Sequence, residues 1–366
     1  MTTNIKKLIL TGVAAALVSP ALTAATINLV TVGGNASIKL IQDRVPNAVL
    51  NPGSVLTVNS TNTLIFRYTG TLTNTTKTVQ WDFNLTGGAA AILDLENQNN
   101  VTLADNTVAK PNAVISIVAP QTIGIDPGTL EQDVSLVAPL VYIKSSVAGN
   151  DLGGLTNITQ RVAAYLESSA GTLPTAYFGG NPANTDLPGH AVYFVGRNSS
   201  SAVRQVVDAN IYFSGTAYNY TTNSSGQPIL YVDSHGNPTG AGSGTEVANI
   251  VKVITNSVGT VAAQDINGLP TLSYEGVSFS TANVINGTYP LWGYERYIYQ
   301  PVGSGTLGLT SDQNTLFQQL LTAVSDPTYD HSSSLFVNKF VSYADVNAQN
   351  ARDATIDGGP ITSNIY

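Results

Sequence analysis

The chain has 366 residues, of which 43% are hydrophobic and 10% charged, and carries a formal net charge of −8. The hydrophobic content supports buried cores, the length exceeds what one core usually organises, and the acidity argues against nucleic acid or an anionic membrane surface as partner. There is no cysteine, which excludes disulfide stapling, thiolate metal sites and lipid attachment at an N-terminal cysteine.

Lys6 and Lys7 precede an apolar stretch from Leu8 to Val18 and the small-residue run Ser19-Pro20-Ala21-Leu22-Thr23-Ala24-Ala25. This is the pattern of a secretory signal peptide over residues 1–25, cut near Ala24 or Ala25. No later segment approaches the roughly 18 apolar residues of a membrane span. The mature chain is therefore expected in the periplasm or outside the cell, without a transmembrane span. Loss of both lysines brings the charge to −10.

Thr26 to Val32 reads as a strand, Gly33 to Ser37 as a turn, and Ile38 to Val45 as a helix closed by Pro46. Alternation in Val55–Val58 and Thr63–Tyr68 predicts short strands, followed by another over Val79–Leu85. Thr86-Gly87-Gly88 then opens a short Ala- and Leu-rich helix over Ala89–Leu95. Val134–Lys144 is a long apolar strand broken by Pro139 and suits a crossing between domains. Thr159–Glu167 predicts a helix. Ala191–Val195 is a strand, Gly196–Ser201 a turn with Arg197 and three serines, and Ala202–Asp208 a helix. Tyr212–Gly244 is a polar, Gly-rich excursion. Val247–Asn256 is helical in pattern, Gly259–Ala263 a buried strand or turn, Leu272–Tyr299 rich in aromatics, and Thr315–Val324 and Ser334–Tyr343 closing helices. Mixed strands and helices throughout point to α/β layers.

Three strand–turn–helix junctions, at Gly33–Ser37, Thr86–Ala89 and Arg197–Val203, share one physical property. Helix N-termini present N–H groups with partial positive charge, so three of them around one cleft would suit a small tetrahedral oxyanion without a basic protein. Taken singly, the Gly196–Ser201 junction reads as a serine-capped helix after a buried strand. The three histidines, His190, His235 and His331, form no spaced pair, so no metal or cofactor site is read, and surface or capping roles are expected. A spatial Ser/His/Asp triad stays open, but no nucleophile elbow of the GxSxG type occurs. The Asn-x-Ser/Thr triplets follow from composition, and the aromatic cluster Tyr289–Tyr299 reads as packing.

These residues resemble the solute-binding proteins of phosphate ABC transporters. The resemblance rests on the Gly33-Gly34-Asn35-Ala36-Ser37 turn, on Thr86-Gly87-Gly88, and on Val137–Lys144 with the helix entry Leu155–Thr159. It also rests on Gly196–Arg204 and on the late Tyr274-Glu275-Gly276-Val277 and Asn286–Leu291 patterns. It implies an α/β, two-lobed type II periplasmic binding protein fold with an inter-domain cleft. Domain I would comprise 26–136 plus 257–366 and domain II 137–256, with hinges near Val137–Ile143 and Gly259–Ala263. The implied ligand-binding residues are Gly34, Asn35, Ala36, Ser37, Thr86, Gly87, Gly88, Arg197, Ser201, Ala202 and Val203. Arg197 would supply charge and Ser201 a hydroxyl.

The implied partners are a small inorganic anion such as phosphate and an ABC permease, with a role in uptake and no catalysis. Two departures stand out. Ser201-Ala202-Val203 replaces the family's Ser-Gly-Thr and removes a hydroxyl, and Asn112–Val118 lacks the family's acid, an acceptor for protonated phosphate. The alternative is a structural or surface-associated protein that keeps this fold without binding a ligand. A secreted phosphoester hydrolase is a third class, for which no metal cluster or nucleophile–base pair is legible.

Overall fold

The computed structural model describes residues 25–187, 189–305, 308–326, 341–342, 350–351, 357–358 and 362–363. The expected signal peptide lies outside the described residues, except Ala25.

The chain begins with β1 (Ile27–Gly33) and α1 (Ile38–Arg44). Pro46 does not stop the helix; the run continues as a π-helical turn, Val45–Val49, and the Gln42 carbonyl that an N–H at position 46 would meet accepts the Tyr68 hydroxyl at 3.1 Å instead. β2 (Val55–Val58), β3 (Ile65–Thr71) and β4 (Thr78–Asn84) follow as an antiparallel meander. α2 (Gly88–Asn97) returns the chain through the small hairpin β5 (Val101–Thr102) and β6 (Val108–Ala109) to β7 (Ala113–Ser116). β1 lies between β4 and β7, parallel to both.

β8 (Glu131–Lys144) is the crossing strand. Residues 131–139 pair with β15 (Trp292–Tyr299), and residues 140–144 pair with β13 (Ser257–Ala262). Pro139 does not break the strand. It sits where β8 changes partner, opposite Trp292, the position at which a missing ladder donor is tolerated. The sheet order is therefore β2-β3-β4-β1-β7-β15-β8 for the first lobe, and β8-β13-β10 for the second, with β10 (Tyr193–Val195) at its edge.

The second lobe also holds the short pair β9 (Asn157–Ile158) and β14 (Ser273–Tyr274). α3 (Gln160–Ser168), α4 (Ala202–Asn210) and α5 (Gly244–Val251) lie in the same part of the chain. The polar excursion after α4 contains the hairpin β11 (Tyr220–Thr222) and β12 (Pro228–Leu230). α6 (Thr281–Ile285) precedes β15, and α7 (Ser311–Val324) packs on the first lobe.

The strand pairing moves the expected boundary at 256/257. β13, expected in the first domain and as a hinge, pairs along β10 and residues 140–144, so it is an interior strand of the second lobe. The chain returns to the first lobe between β14 and β15, where Leu140 N–H donates to Leu291 O at 3.0 Å. The closing helix expected over Ser334–Tyr343 lies largely outside the described residues, and its described part, β16 (Val341–Ser342), is a strand paired with Leu136 and Val137 of β8. The last two described strands, β17 (Asn350–Ala351) and β18 (Thr362–Ser363), pair with each other.

Candidate functional site

Helix caps separate the helices into two groups. α3, α5, α6 and α7 start on Thr159, Ser243, Ser280 and Thr310, each of whose hydroxyls accepts a backbone N–H of the first turn. α1, α2 and α4 have no side-chain cap. These three are the helices of the strand–turn–helix junctions singled out in the sequence.

Contact between the junctions is direct. A Cβ on Gly88 would lie 2.7 Å from the Ala202 Cβ, 2.9 Å from Ser116 Oγ and 3.5 Å from the Gly34 Cα. Gly88 is thus the point at which the first turn, the second turn and the second lobe meet, and a side chain there would hold the lobes apart. Across the junction, Ala89 N–H donates to the carbonyl of Ser200 at 3.2 Å, so a carbonyl of one lobe partly caps a helix of the other. Two other donors are engaged locally: Gly34 N–H with Ile115 O and Gly87 N–H with Gly33 O, both at 3.0 Å.

Beside the junction lies a polar pocket of about 320 Å³. Its walls include Asn84, Thr86, Gly87 and Asp94 from the first lobe and Ser200 from the second. Thr86 is exposed and its hydroxyl donates to Asn84 Oδ1 at 2.7 Å, while Ser200 Oγ donates to Asn198 Oδ1 at 2.7 Å.

The remaining expected residues divide. Asn35 and Ala36 form the 3-10 turn before α1, and Ser201 and Val203 are buried at the start of α4. Arg197 is placed differently from expectation. It is buried, and its guanidinium donates from Nε to Ala241 O at 3.2 Å and from Nη2 to Gly242 O at 2.8 Å. Burial pulls it down to about 10, against the opposing pull of Asp265 and Glu246, so it stays charged at neutral pH. Its role is to hold the loop entering α5, because the backbone at Arg197 bridges to Ala241 and turns the side chain that way.

The Asn112–Val118 stretch has no acid, but a buried acid near the first turn lies on β15. Glu295 of β15 is fully buried; one carboxyl oxygen accepts the Ser37 hydroxyl and the other accepts the Ser135 hydroxyl at 3.2 Å. Burial pushes its pKa up to about 8, with the Ser135 bond pulling weakly the other way, so the carboxyl is neutral at pH 7. A neutral acid does not repel an anion. The sequence signal for it was a pair of charges, Glu295-Arg296, inside a run of aromatics.

His190 pairs through Nδ1 with Asp151 at 2.5 Å, and its Nε2 lies 3.7 Å from Asp186, so both ring nitrogens face acids rather than a serine. Among the described residues there is no group of three or more His, Cys, Asp or Glu placed to hold a metal ion, and no helix long and apolar enough to cross a membrane.

Among solved structures, the chain is similar to a protein described as a phosphate ABC transporter substrate-binding protein, from Clostridium perfringens, with bound phosphate. The TM-score is 0.50 at 12% identity, covering 86% of this chain and 99% of that one. The chain has the two-lobed α/β fold of the periplasmic binding proteins. Other similar structures of this fold are an ABC-type phosphate transport receptor from Vibrio cholerae (TM-score 0.47, 13% identity, 85% and 97% covered) and PstS from Borrelia burgdorferi (0.42, 14%, 86% and 98%). At these identities the likeness is one of fold. Compared with models of known protein families and with characterised protein sequences, the chain matches none. In the periplasmic-binding fold as built here, the crossing strand β8 and the return before β15 carry the second lobe, and the Gly34, Gly88 and Ala202 turns face each other across the junction.

Proposed function

We propose that this chain is an exported, non-catalytic solute-binding protein whose two lobes, joined through β8 and the return before β15, close on a small oxyanion of the phosphate type. The observation that carries this reading is the meeting of two uncapped helix starts, α2 and α4, from opposite lobes at Gly88 and Ala202. A helix start without a side-chain cap leaves donors for an external acceptor. The buried acid that holds the turn before α1, Glu295, is neutral at pH 7. Binding is by neutral donors, since Arg197 serves the second lobe's own loop. Such a site is weaker in charge than one with an arginine, and it discriminates anions by shape and protonation. Uptake through an ABC permease belongs to the same proposal.

A specific observation favours a second reading. The Ala89 donor already holds the Ser200 carbonyl, and the Ala202 methyl fills space that a glycine would leave. A surface-associated protein that keeps the fold and has closed the cleft on itself would show both features. Titration calorimetry of the mature chain with phosphate, arsenate and sulfate separates the two. One-site heat with at least one anion supports solute binding; no heat and no thermal shift with any of them supports the structural protein.

A further inference from the structure

A second buried polar constellation lies in the first lobe, on the residue after Glu295. Arg296 of β15 is fully buried, and its Nη1 donates to Ile117 O at 3.0 Å and to Tyr294 O at 3.1 Å. Its Nη2 pairs at 3.0 Å with Asp357, whose side chain is also buried. The second carboxylate oxygen of Asp357 accepts the Ala119 N–H at 2.7 Å and the Thr122 hydroxyl at 2.8 Å, and the Asp357 N–H donates to that hydroxyl at 3.2 Å. All of these partners are on the first lobe.

The next residue touches the second lobe. Gly358 has φ +73°, and a Cβ there would overlap the Ala209 carbonyl and lie 3.0 Å from the Asn210 nitrogen, both at the C-terminal end of α4. Positive φ and close backbone approach both require glycine. Two consecutive residues of the C-terminal segment therefore bridge the lobes, and β16 of the same segment lies on β8 at Leu136 and Val137, just before the crossing at Pro139.

A buried guanidinium needs an anion, because removing one partner of such a pair leaves the other as an uncompensated charge. We infer that Arg296, the Ala119 N–H and the Thr122 hydroxyl form a carboxylate-binding site whose ligand is the chain's own Asp357, and that Asp357 with Gly358 is a latch holding the lobes closed. The latch acts whether or not a solute occupies the junction, so it does not rest on the anion reading.

The chain has no cysteine, so two introduced ones can be labelled selectively. Leu93 on α2 and Val253 after α5 are exposed positions on opposite lobes. In the full mature chain carrying Leu93→Cys and Val253→Cys with spin labels, and without added anion, pulsed electron resonance reads the distance between lobes. Asp357→Asn and Gly358→Ala should each lengthen and broaden the distribution, and Thr122→Val should do so to a smaller degree. Asp312→Asn, which breaks an exposed ion pair with Lys77 on the first lobe, should leave it unchanged. Distributions for Asp357→Asn and Gly358→Ala that superimpose on the parent, with thermal melts showing both folded, would overturn the latch. If Asp357→Asn does not fold, Gly358→Ala and Thr122→Val decide in its place: longer distances support the latch, and distributions that superimpose on the parent overturn it.

Discussion

The Ser37 hydroxyl hydrogen-bonds the carboxyl of Glu295, 258 positions later in the chain, and ties the turn before α1 to the centre of β15. The folded protein binds a proton at Glu295 up to about pH 8, against an ordinary value of 4.5. A raised acid pKa means that the folded state holds more protons than the unfolded state between those values. Its stabilisation is therefore complete below about pH 4.5 and is lost as pH rises toward 8. The slope from this one group reaches about 1.4 kcal/mol per pH unit. Glu295→Gln is neutral at every pH, keeps one accepting oxygen and donates from its NH2 to the other serine hydroxyl, and should flatten that part of the stability profile between pH 5 and 8; equal slopes for the two proteins would contradict the assignment.

Gly88 and Ala202 are expected to be coupled across the lobes. Gly88→Ala brings its methyl against the Ala202 methyl and Ser116 Oγ, an overpacking that costs about 1–3 kcal/mol. Adding Ala202→Gly should restore part of that loss. Chemical denaturation of both single variants and the double variant gives the coupling energy, and strict additivity would show that the lobes do not touch there.

Arg197 should matter for folding and little for ligand. Arg197→Met removes two hydrogen bonds to buried or partly buried carbonyls and should cost about 2–3 kcal/mol in denaturation. At a temperature where the variant is folded, its phosphate affinity should stay within about tenfold, or about 1.4 kcal/mol, of the parent. A much larger loss of affinity would return Arg197 to the ligand.

Much of this arrangement is legible in the sequence, for identifiable reasons. Glycine and serine turns after apolar strands mark where a helix starts, so the chain alone points to Gly34, Gly88 and Ala202 as helix starts of one kind. Local order does not say which way Arg197 faces; that is set by pairing with Ala241, a residue 44 positions away. Pro139 reads as a break because proline lacks a donor, yet β8 continues through it, since the strand needs no donor where it exchanges β15 for β13. Gly259–Ala263 is small and apolar and reads equally as a hinge or as a buried strand; only its register with β8 decides. Glu295 is hidden because all eight residues of β15 are buried, so no polar alternation marks one face. The adjacent charges Glu295 and Arg296 in such a run are the available signal. Burying them requires built partners, and the structure supplies Ser37 and Ser135 for one and Asp357 for the other.

The most direct measurement is a titration of the isotopically labelled chain from residue 26 with phosphate, followed by amide resonances. Saturable shifts at Gly88 and Ala89 of α2 together with Ala202 of α4 are the expected result, because those residues meet at the junction. An absence of shifts in all three, or shifts confined to residues away from Gly88 and Ala202, would contradict solute binding between the lobes.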